Sequence, residues 1–571
     1  MAGTGAQTVV EMLQAYGVRH VFGVPGDTSM PLYEALYHAR ATIQHIMARD
    51  ERAAAFMADV YARLSGRPGV CEAPSGAGAS YLLPGLAEAN ASSIPLIALT
   101  SDIPLSGEGR HVLTELDQAA LFRAVTRWCA VVKRADKIPE TMRKAFRMAT
   151  TGRGGAVQIT LPHDVLLEDV GPAAVYAEPA CQAYPAYRTR PEPTAAAEAA
   201  RLLLKAQRPV IVAGGGVVIS RAWDELTALA ELLTAPVGTS INGLGSIAAT
   251  HPLSLGVVGG NGARPYANRV VAEADLVLFV GCKADSVTTN NWTLPPADGS
   301  VTVIQVDVDP AEIGNAYPTA VGLVGDARLA LIDLLEALRA QAGDVLRPKR
   351  ERLAEIEGMA AAWWAAQAGK MHSAAQPIKP QRVMQALRQV LPPQTVIVAD
   401  AGTPTPFTAA FYPTPAGRQV IIPRALGGLG YALPGVVGAK LARPEAPVVG
   451  LMGDGSFGMS AGEMETIARL GLPVTLLQFN NGTFGWIKAL QHLFYEGHYF
   501  SVDFRAETDH AAIAQGFGLR GVRVDDPAAL EPVLREALRS EQATFIDVIT
   551  EPEVTELPPV DKWLRAAGME V

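Results

Sequence analysis

Cysteine is scarce: Cys71, Cys129, Cys181 and Cys282 are the only four in 571 residues, and no two of them have CxxC spacing. That excludes a disulfide framework and a zinc ribbon, and it points to a reducing, cytoplasmic setting. Charge is also sparse, at 18% of residues, with a net value of -9 and no run of Lys or Arg. Nucleic acid is therefore not expected as a partner, although an acidic chain can still keep a local basic pocket for phosphates. No apolar stretch is long enough to span a bilayer. The opening "MAGTGAQTVVEMLQAYGV" reads as an amphipathic helix without a basic leader, so no membrane partner is expected either.

What is abundant is apolar sequence, 49% of the chain, arranged as short β-branched runs alternating with Ala- and Leu-rich helical stretches. This is the pattern of parallel sheets covered by helices. The length exceeds what one hydrophobic core serves. Two stretches interrupt the rhythm, "EPACQAYPAYRTRPEPT" at 178–194 and the region closing in "MHSAAQPIKPQRV" after a long helical segment. Both read as linkers. The expected architecture is α/β, with three doubly wound parallel-sheet domains at 1–175, 192–340 and 375–550 and a tail at 551–571.

One stretch carries chemistry. "GDGSFGMSAGEMETIARLGLPVTLLQFNN", 453–481, lies between two apolar strands, and Ser460 with Glu463 suggests a capping box on the helix that ends at Gly471. A strand, a helix and a strand make a right-handed crossover, so the two strands are parallel and their carboxyl ends share an edge. Asp454 and Asn481 then meet where open α/β sheets bind ligands. A carboxylate, an amide oxygen and a carbonyl just after Asn481 form a hard oxygen set suited to Mg²⁺ with phosphate oxygens and water. Gly453, Gly455, Ser456 and Phe457 leave backbone amides at a helix start, where phosphate is favoured.

GDG, a spacer of this length and NN resemble the diphosphate-binding motif of thiamine diphosphate (ThDP) enzymes. The likeness runs through all three blocks and is greatest to the acetohydroxyacid synthase, oxalyl-CoA decarboxylase and 2-hydroxyacyl-CoA lyase branch. It implies that Asp454 and Asn481 are side-chain ligands of Mg²⁺ and that Thr483 offers its main-chain oxygen. In "IQHIMARDERAAAF", Glu51 falls in the first helical turn behind a strand, where the family carries the glutamate that hydrogen-bonds the aminopyrimidine ring. A carboxylate there shifts the ring to an imino form that can take a proton from a weak carbon acid. Read without the family, Glu51 is a helix N-terminal charge favoured by the dipole.

Further matches place Gly26, in "VFGVPGDTSM", near the cofactor. Gly76 and Gly78, in "APSGAGAS", fall beneath the pyrimidine, and Gly402 and Thr403, in "VADAGTPTPF", on the far side of the diphosphate. Leu429, in "GGLGYALPG", falls where the family keeps the bulky residue that bends ThDP into a V. Family members pair the first domain of one subunit with the third domain of another, which implies a homodimer or a dimer of dimers.

Substrate is less legible. In "GRHVLTELDQAALF" acetohydroxyacid synthases place a glutamine where Thr114 stands, and oxalyl-CoA decarboxylases place a tyrosine where Leu113 stands. His111 reads as a surface histidine or a proton relay. After NN, "GTFGWIKALQHLFYEGHYFSVDF" supplies Trp486 and further aromatics to wall a substrate pocket or to pack between helix and sheet. Relatives hold FAD or an adenine nucleotide such as ADP in the middle domain. Flavin-binding ones have Arg-Phe where this chain has Cys282 and Lys283, so neither is expected here. The tail, "EVTELPPVDKWLRAAGMEV", is a candidate lid.

The reading is therefore a ThDP- and Mg²⁺-dependent C–C lyase or carboligase acting on a 2-keto acid, acetolactate-synthase-like. The alternatives are a 2-hydroxyacyl-CoA lyase or oxalyl-CoA decarboxylase working on an acyl-CoA, and a catalytically idle scaffold relative that has kept the fold.

Overall fold

The structure is a computed structural model describing residues 3–171, 174–342, 350–505 and 508–569. Its strands build three six-stranded parallel sheets and one short antiparallel pair, Gly3–Thr4 with Asp169–Val170. The first contains β1 (His20–Gly23), β2 (Gln44–Met47), β3 (Gly69–Ala73), β4 (Leu96–Asp102), β5 (Trp128–Val131) and β6 (Ala156–Pro162), in the order β2-β1-β3-β4-β6-β5. The second contains β7 (Pro209–Ala213), β8 (Val237–Thr239), β9 (Ser254–Val257), β10 (Leu276–Val280), β11 (Thr302–Asp307) and β12 (Val321–Val324), ordered β9-β8-β7-β10-β11-β12. The third contains β13 (Val396–Ala399), β14 (Val420–Ile421), β15 (Val448–Gly453), β16 (Thr475–Asn480), β17 (Arg520–Val524) and β18 (Thr544–Ile549), ordered β14-β13-β15-β16-β18-β17. The expected three α/β sheets are all present.

Their central strands are buried on both faces, which is why they read as continuous apolar runs rather than alternating ones. In the second sheet Ile211, Leu278 and Ile304 are fully buried against the flanking helices. Each such side chain contributes roughly 1.5–3 kcal/mol by leaving water. Among the described residues no helix is long and apolar enough to cross a membrane.

The chain divides into two compact units. One holds residues 1–187 together with 423–446 and 459–472; the other holds 188–422, 447–458 and 473–571. Within the first, the stretch read as a linker after residue 178 is packed down. Cys181 is fully buried, the Glu178 amide donates to the Tyr16 hydroxyl at 3.3 Å, and Gln182 donates to the Ala15 carbonyl at 3.1 Å.

The capping box expected at Ser460 and Glu463 does not form. Ser460 closes the Asp454–Ser460 helix, and Glu463 opens a second one, Glu463–Arg469, whose cap position is Gly462. The Glu463 carboxylate instead accepts the amide of Arg49 at 2.8 Å and the Thr466 hydroxyl at 2.7 Å. A partner 414 positions away in sequence has overridden the local one. The stop at Gly471 is as expected, with a left-handed φ of 60°.

Candidate active site

Asp454 follows Gly453, the last residue of β15, and Asn481 follows β16; the two strands are parallel neighbours. Both residues therefore emerge at one carboxyl edge. Asp454 Oδ2 accepts the amides of Asn481 at 3.1 Å and Gly482 at 2.7 Å, and Oδ1 accepts that of Gly455 at 2.8 Å. One carboxylate thus ties the two turns together. Burial nevertheless pushes its pKa up to about 7, partly offset by those three amides, while the nearby Glu553 charge adds to the rise. The amides do not replace the hydration it lost.

Asn481 is held from behind. Its Nδ2 donates to Glu553 Oε2 at 2.8 Å, and its Oδ1 is buried with no hydrogen-bond partner. An unsatisfied amide oxygen beside a desolvated carboxylate is what a bound cation would complete. Thr483 spends its hydroxyl on the Val502 carbonyl at 2.8 Å, so its main-chain oxygen is what it has to offer; that oxygen already takes the Gly485 amide at 2.8 Å and keeps a second lone pair. One carboxylate, one amide and one carbonyl are hard oxygen donors that fit Mg²⁺. Among the described residues no three His, Cys, Asp or Glu side chains converge as they would for a softer metal.

Glu553 went unnoticed in the sequence. It is almost fully buried, it also accepts the hydroxyl of Thr403, and burial raises its pKa. A β-carbon at Gly485 would overlap its carboxylate, so that glycine makes room for it. Its one sequence signal is position, four residues beyond β18 on the ligand-binding edge. Around it, Gly402 has a φ of 88°, and both Gly402 and Gly453 have open space where a β-carbon would stand. A β-carbon at Gly455 would sit 2.6 Å from the Phe484 ring. Ser456 and Phe457 are buried, the latter with its ring 4.9 Å from His510 and 5.1 Å from Phe545.

In the other unit, Glu51 is the first residue of the Glu51–Ser65 helix, behind the cap residue Asp50, whose side chain accepts the Arg52 amide. Burial raises the Glu51 pKa, and the like charges of Asp50 and Glu72 add to it. Its surroundings are built tightly. A β-carbon at Gly78 would lie 2.9 Å from Glu51 Oε1, and one at Gly26 would lie 2.5 Å from Pro74. Gly76 combines a φ of 66° with a neighbour that a β-carbon would meet at 2.7 Å, Thr114, so only glycine serves there.

Thr114 hydrogen-bonds Ser75 Oγ at 2.6 Å, and Ser75 continues to Thr28 at 3.1 Å and Thr28 to Ser101 at 2.9 Å. This chain of hydroxyls was not read from the sequence. Leu113 is 87% exposed and His111 is also exposed, in a loop where His111 and Thr114 both have positive φ. Glu72 is a second unanticipated carboxylate: it is buried, accepts the Tyr33 hydroxyl and lies 3.4 Å from His45 Nε2. Leu429 is half-buried in the turn between Gly427 and Gly430.

Trp486 packs against Trp563 of the tail, with ring centroids 4.3 Å apart and the rings tilted by 48°. The tail is pinned by Lys379 to Glu551 at 2.7 Å, Lys379 to Glu556 at 2.9 Å and Lys370 to Glu556 at 2.6 Å.

Comparison with known proteins matches the sequence domain by domain. The N-terminal TPP binding domain of thiamine pyrophosphate enzymes matches residues 3–121, their central domain residues 196–337, and their C-terminal TPP binding domain residues 400–548. A probable acetolactate synthase large subunit of Methanocaldococcus jannaschii is 36% identical over 96% of this chain and 92% of its own. The chain belongs to the thiamine pyrophosphate enzyme family. The Escherichia coli acetolactate synthase isozyme 3 large subunit is 33% identical over 99% of this chain and 98% of its own. The acetolactate synthase large subunit of Corynebacterium glutamicum is 31% identical over 96% and 86%. As a thiamine pyrophosphate enzyme, the chain has β1 to β4 within the matched N-terminal domain, β7 to β12 within the central one and the Asp454–Asn481 turns within the C-terminal one.

Proposed function

We propose that the chain is a ThDP- and Mg²⁺-dependent carboligase that decarboxylates a 2-keto acid and transfers the acyl fragment to an acceptor, as the names of its acetolactate synthase relatives suggest. The observation that carries the metal half is the buried, unpartnered Asn481 Oδ1 beside a desolvated Asp454. Mg²⁺ is held by Asp454, Asn481 and the carbonyl of Thr483. The amides of Gly453, Gly455, Ser456 and Phe457 take the diphosphate, with Gly402 and Thr403 on its other side. ThDP, when bound, would supply a carbon acid whose conjugate base adds to the keto carbon and a cationic ring that takes up the electron pair left behind as CO₂ departs.

The remaining work belongs to the chain. Glu51 holds a proton at the aminopyrimidine and passes it there. Burial, with the like charges of Asp50 and Glu72, raises its proton affinity, the direction that helps a carboxylate hold the proton it hands on. Gly76 and Gly78 let the backbone approach the ring. Leu429 fixes the angle between the two rings, and Leu113, Thr114 and Trp486 border the substrate. Family likeness joins Glu51 of one subunit with Asp454 of another, so a homodimer is the smallest active unit. The scattered cysteines, none at disulfide or CxxC spacing, support a cytoplasmic reading.

Thr114 in place of glutamine and Leu113 in place of tyrosine match neither specific donor pattern, so an acyl-CoA donor, as in 2-hydroxyacyl-CoA lyases, stays as the second reading. The test is calorimetric titration of ThDP into metal-stripped protein with and without Mg²⁺, followed by CO₂ release from a panel of 2-keto acids and acyl-CoA donors. Mg²⁺-dependent binding with release from a 2-keto acid is expected. Absence of ThDP binding would return the chain to an idle scaffold.

A further inference from the structure

Helix Leu83–Ala91 carries Glu88, whose side chain is fully buried and which the proposed chemistry does not use. Its carboxylate accepts five hydrogen bonds. Oε1 takes Arg63 at 3.2 Å, the Ser92 hydroxyl at 2.8 Å and the Ala425 amide at 3.3 Å; Oε2 takes the amides of Leu426 at 2.7 Å and Gly427 at 3.4 Å. Three successive main-chain amides therefore converge on one buried anion. Leu426, whose amide points inward, is 54% exposed, so the turn's side chains are left outside while its backbone is gripped.

The far end of the same turn is held as well. Tyr431, fully buried, donates its hydroxyl to Asp59, and Asp59 also accepts Arg63 Nε at 2.9 Å. Asp59 and Arg63 lie on the Glu51–Ser65 helix. Between the two anchors lie Gly427 to Gly430 and Leu429, with Gly428 against Phe56 of that helix. A charge-assisted bond from an amide to a desolvated carboxylate is stronger than one to water, and three of them fix a turn that has no strand or helix of its own.

We infer that Glu88 is a positioning residue for Leu429: by gripping the 425–427 amides it sets the turn that presents this side chain to the cofactor. This rests on the role proposed above for Leu429. Glutamine at 88 would keep the shape but lose the charge, and it would set an NH₂ group against one of the inward amides. Aspartate would keep the charge and fall one methylene short.

The experiment is amide hydrogen exchange of the full-length apoprotein across 424–430, wild type against Glu88→Gln, Glu88→Asp and the control Glu34→Gln, an exposed acid paired with His38, together with ThDP titration in Mg²⁺. In the wild type the 425–427 amides should be protected despite the exposure of Leu426. In Glu88→Gln they should exchange about tenfold faster or more and ThDP should bind about tenfold more weakly, with Glu88→Asp between and Glu34→Gln unchanged. Unprotected wild-type amides would overturn the clamp, a result that needs no variant to fold. Faster exchange with unchanged ThDP affinity would overturn the positioning role. Failure of the wild type itself to bind ThDP would instead remove the reading on which the role rests, and the exchange data would still report the clamp.

Discussion

Asn481 Nδ2 donates to Glu553 Oε2 at 2.8 Å, and this bond fixes which way the amide faces: its oxygen is left buried and unpartnered. Glu553 thus stands to the proposed metal ligand as the carboxylate behind a metal-bound histidine stands to its zinc. It orients the donor atom without touching the ion. Glu553→Ala should weaken Mg²⁺-dependent ThDP binding by about 10- to 100-fold, measured by calorimetry at fixed ThDP and varied Mg²⁺. Gly485→Ala, which intrudes on the same carboxylate, should act in the same direction. Unchanged Mg²⁺ dependence in both would leave Glu553 as packing.

Asp454→Asn keeps an acceptor for some of the three amides that bridge the two turns but removes the formal charge. The fold should survive, and ThDP titration should lose its dependence on Mg²⁺. Circular dichroism and calorimetry on one sample separate the two effects. A variant that folds and still binds ThDP only with Mg²⁺ would move the metal elsewhere.

Glu51→Gln should bind ThDP with near wild-type affinity and lose turnover by about 10²- to 10⁴-fold, the range of a removed acid–base group. Single-turnover CO₂ release from a 2-keto acid reads it. Equal loss of binding and turnover would mark Glu51 as a binding group only.

Glu463 gives a pH dependence in the apoprotein. Burial pushes its pKa up to about 7 from an ordinary 4.5, with Asp50 adding to the rise and Thr466 and Arg49 partly offsetting it. The folded state then holds a proton that the unfolded chain releases above pH 4.5. Stability contributed by this group is full below that pH and is lost as pH rises towards 7, by up to about 1.4 kcal/mol per unit, and levels off above it. Glu463→Gln, whose amide can still accept from Arg49 and donate to Thr466, should flatten the profile between pH 5 and 7 in urea unfolding. A variant with the wild-type slope would assign that slope to another group.

Much of the architecture was legible because it depends on short-range pattern. The buried runs 446–452 and 473–479 became β15 and β16 within two residues at each end, since a strand covered on both faces reads as a short, mostly apolar run rather than an alternating one. The helix behind Gln44–Met47 begins at Glu51 because Asp50 caps it, a local interaction. The capping box at Ser460 failed for the opposite reason. Glu463 is taken up by the Arg49 amide, distant in sequence, and by the Thr466 hydroxyl one turn on, rather than by Ser460. The stretch after 178 read as a linker because Pro and Tyr mark turns. Nothing local shows that Cys181 slots into a core built from other segments.

The sequence by itself determined the alternating β/α order, the helix that starts at Glu51 and the two turns that hold Asp454 and Asn481, because period and turn chemistry act over a few residues. Only the tertiary structure decided the buried carboxylates. Glu72 meets Tyr33 and His45, Glu88 meets the 425–427 amides, and Glu553 meets Thr403 and Asn481. In sequence each is an ordinary acid on a strand, a helix or a tail. What separates it from a solvated one is that segments far apart in the chain close over it, and a desolvated charge must then be met by donors that those segments supply.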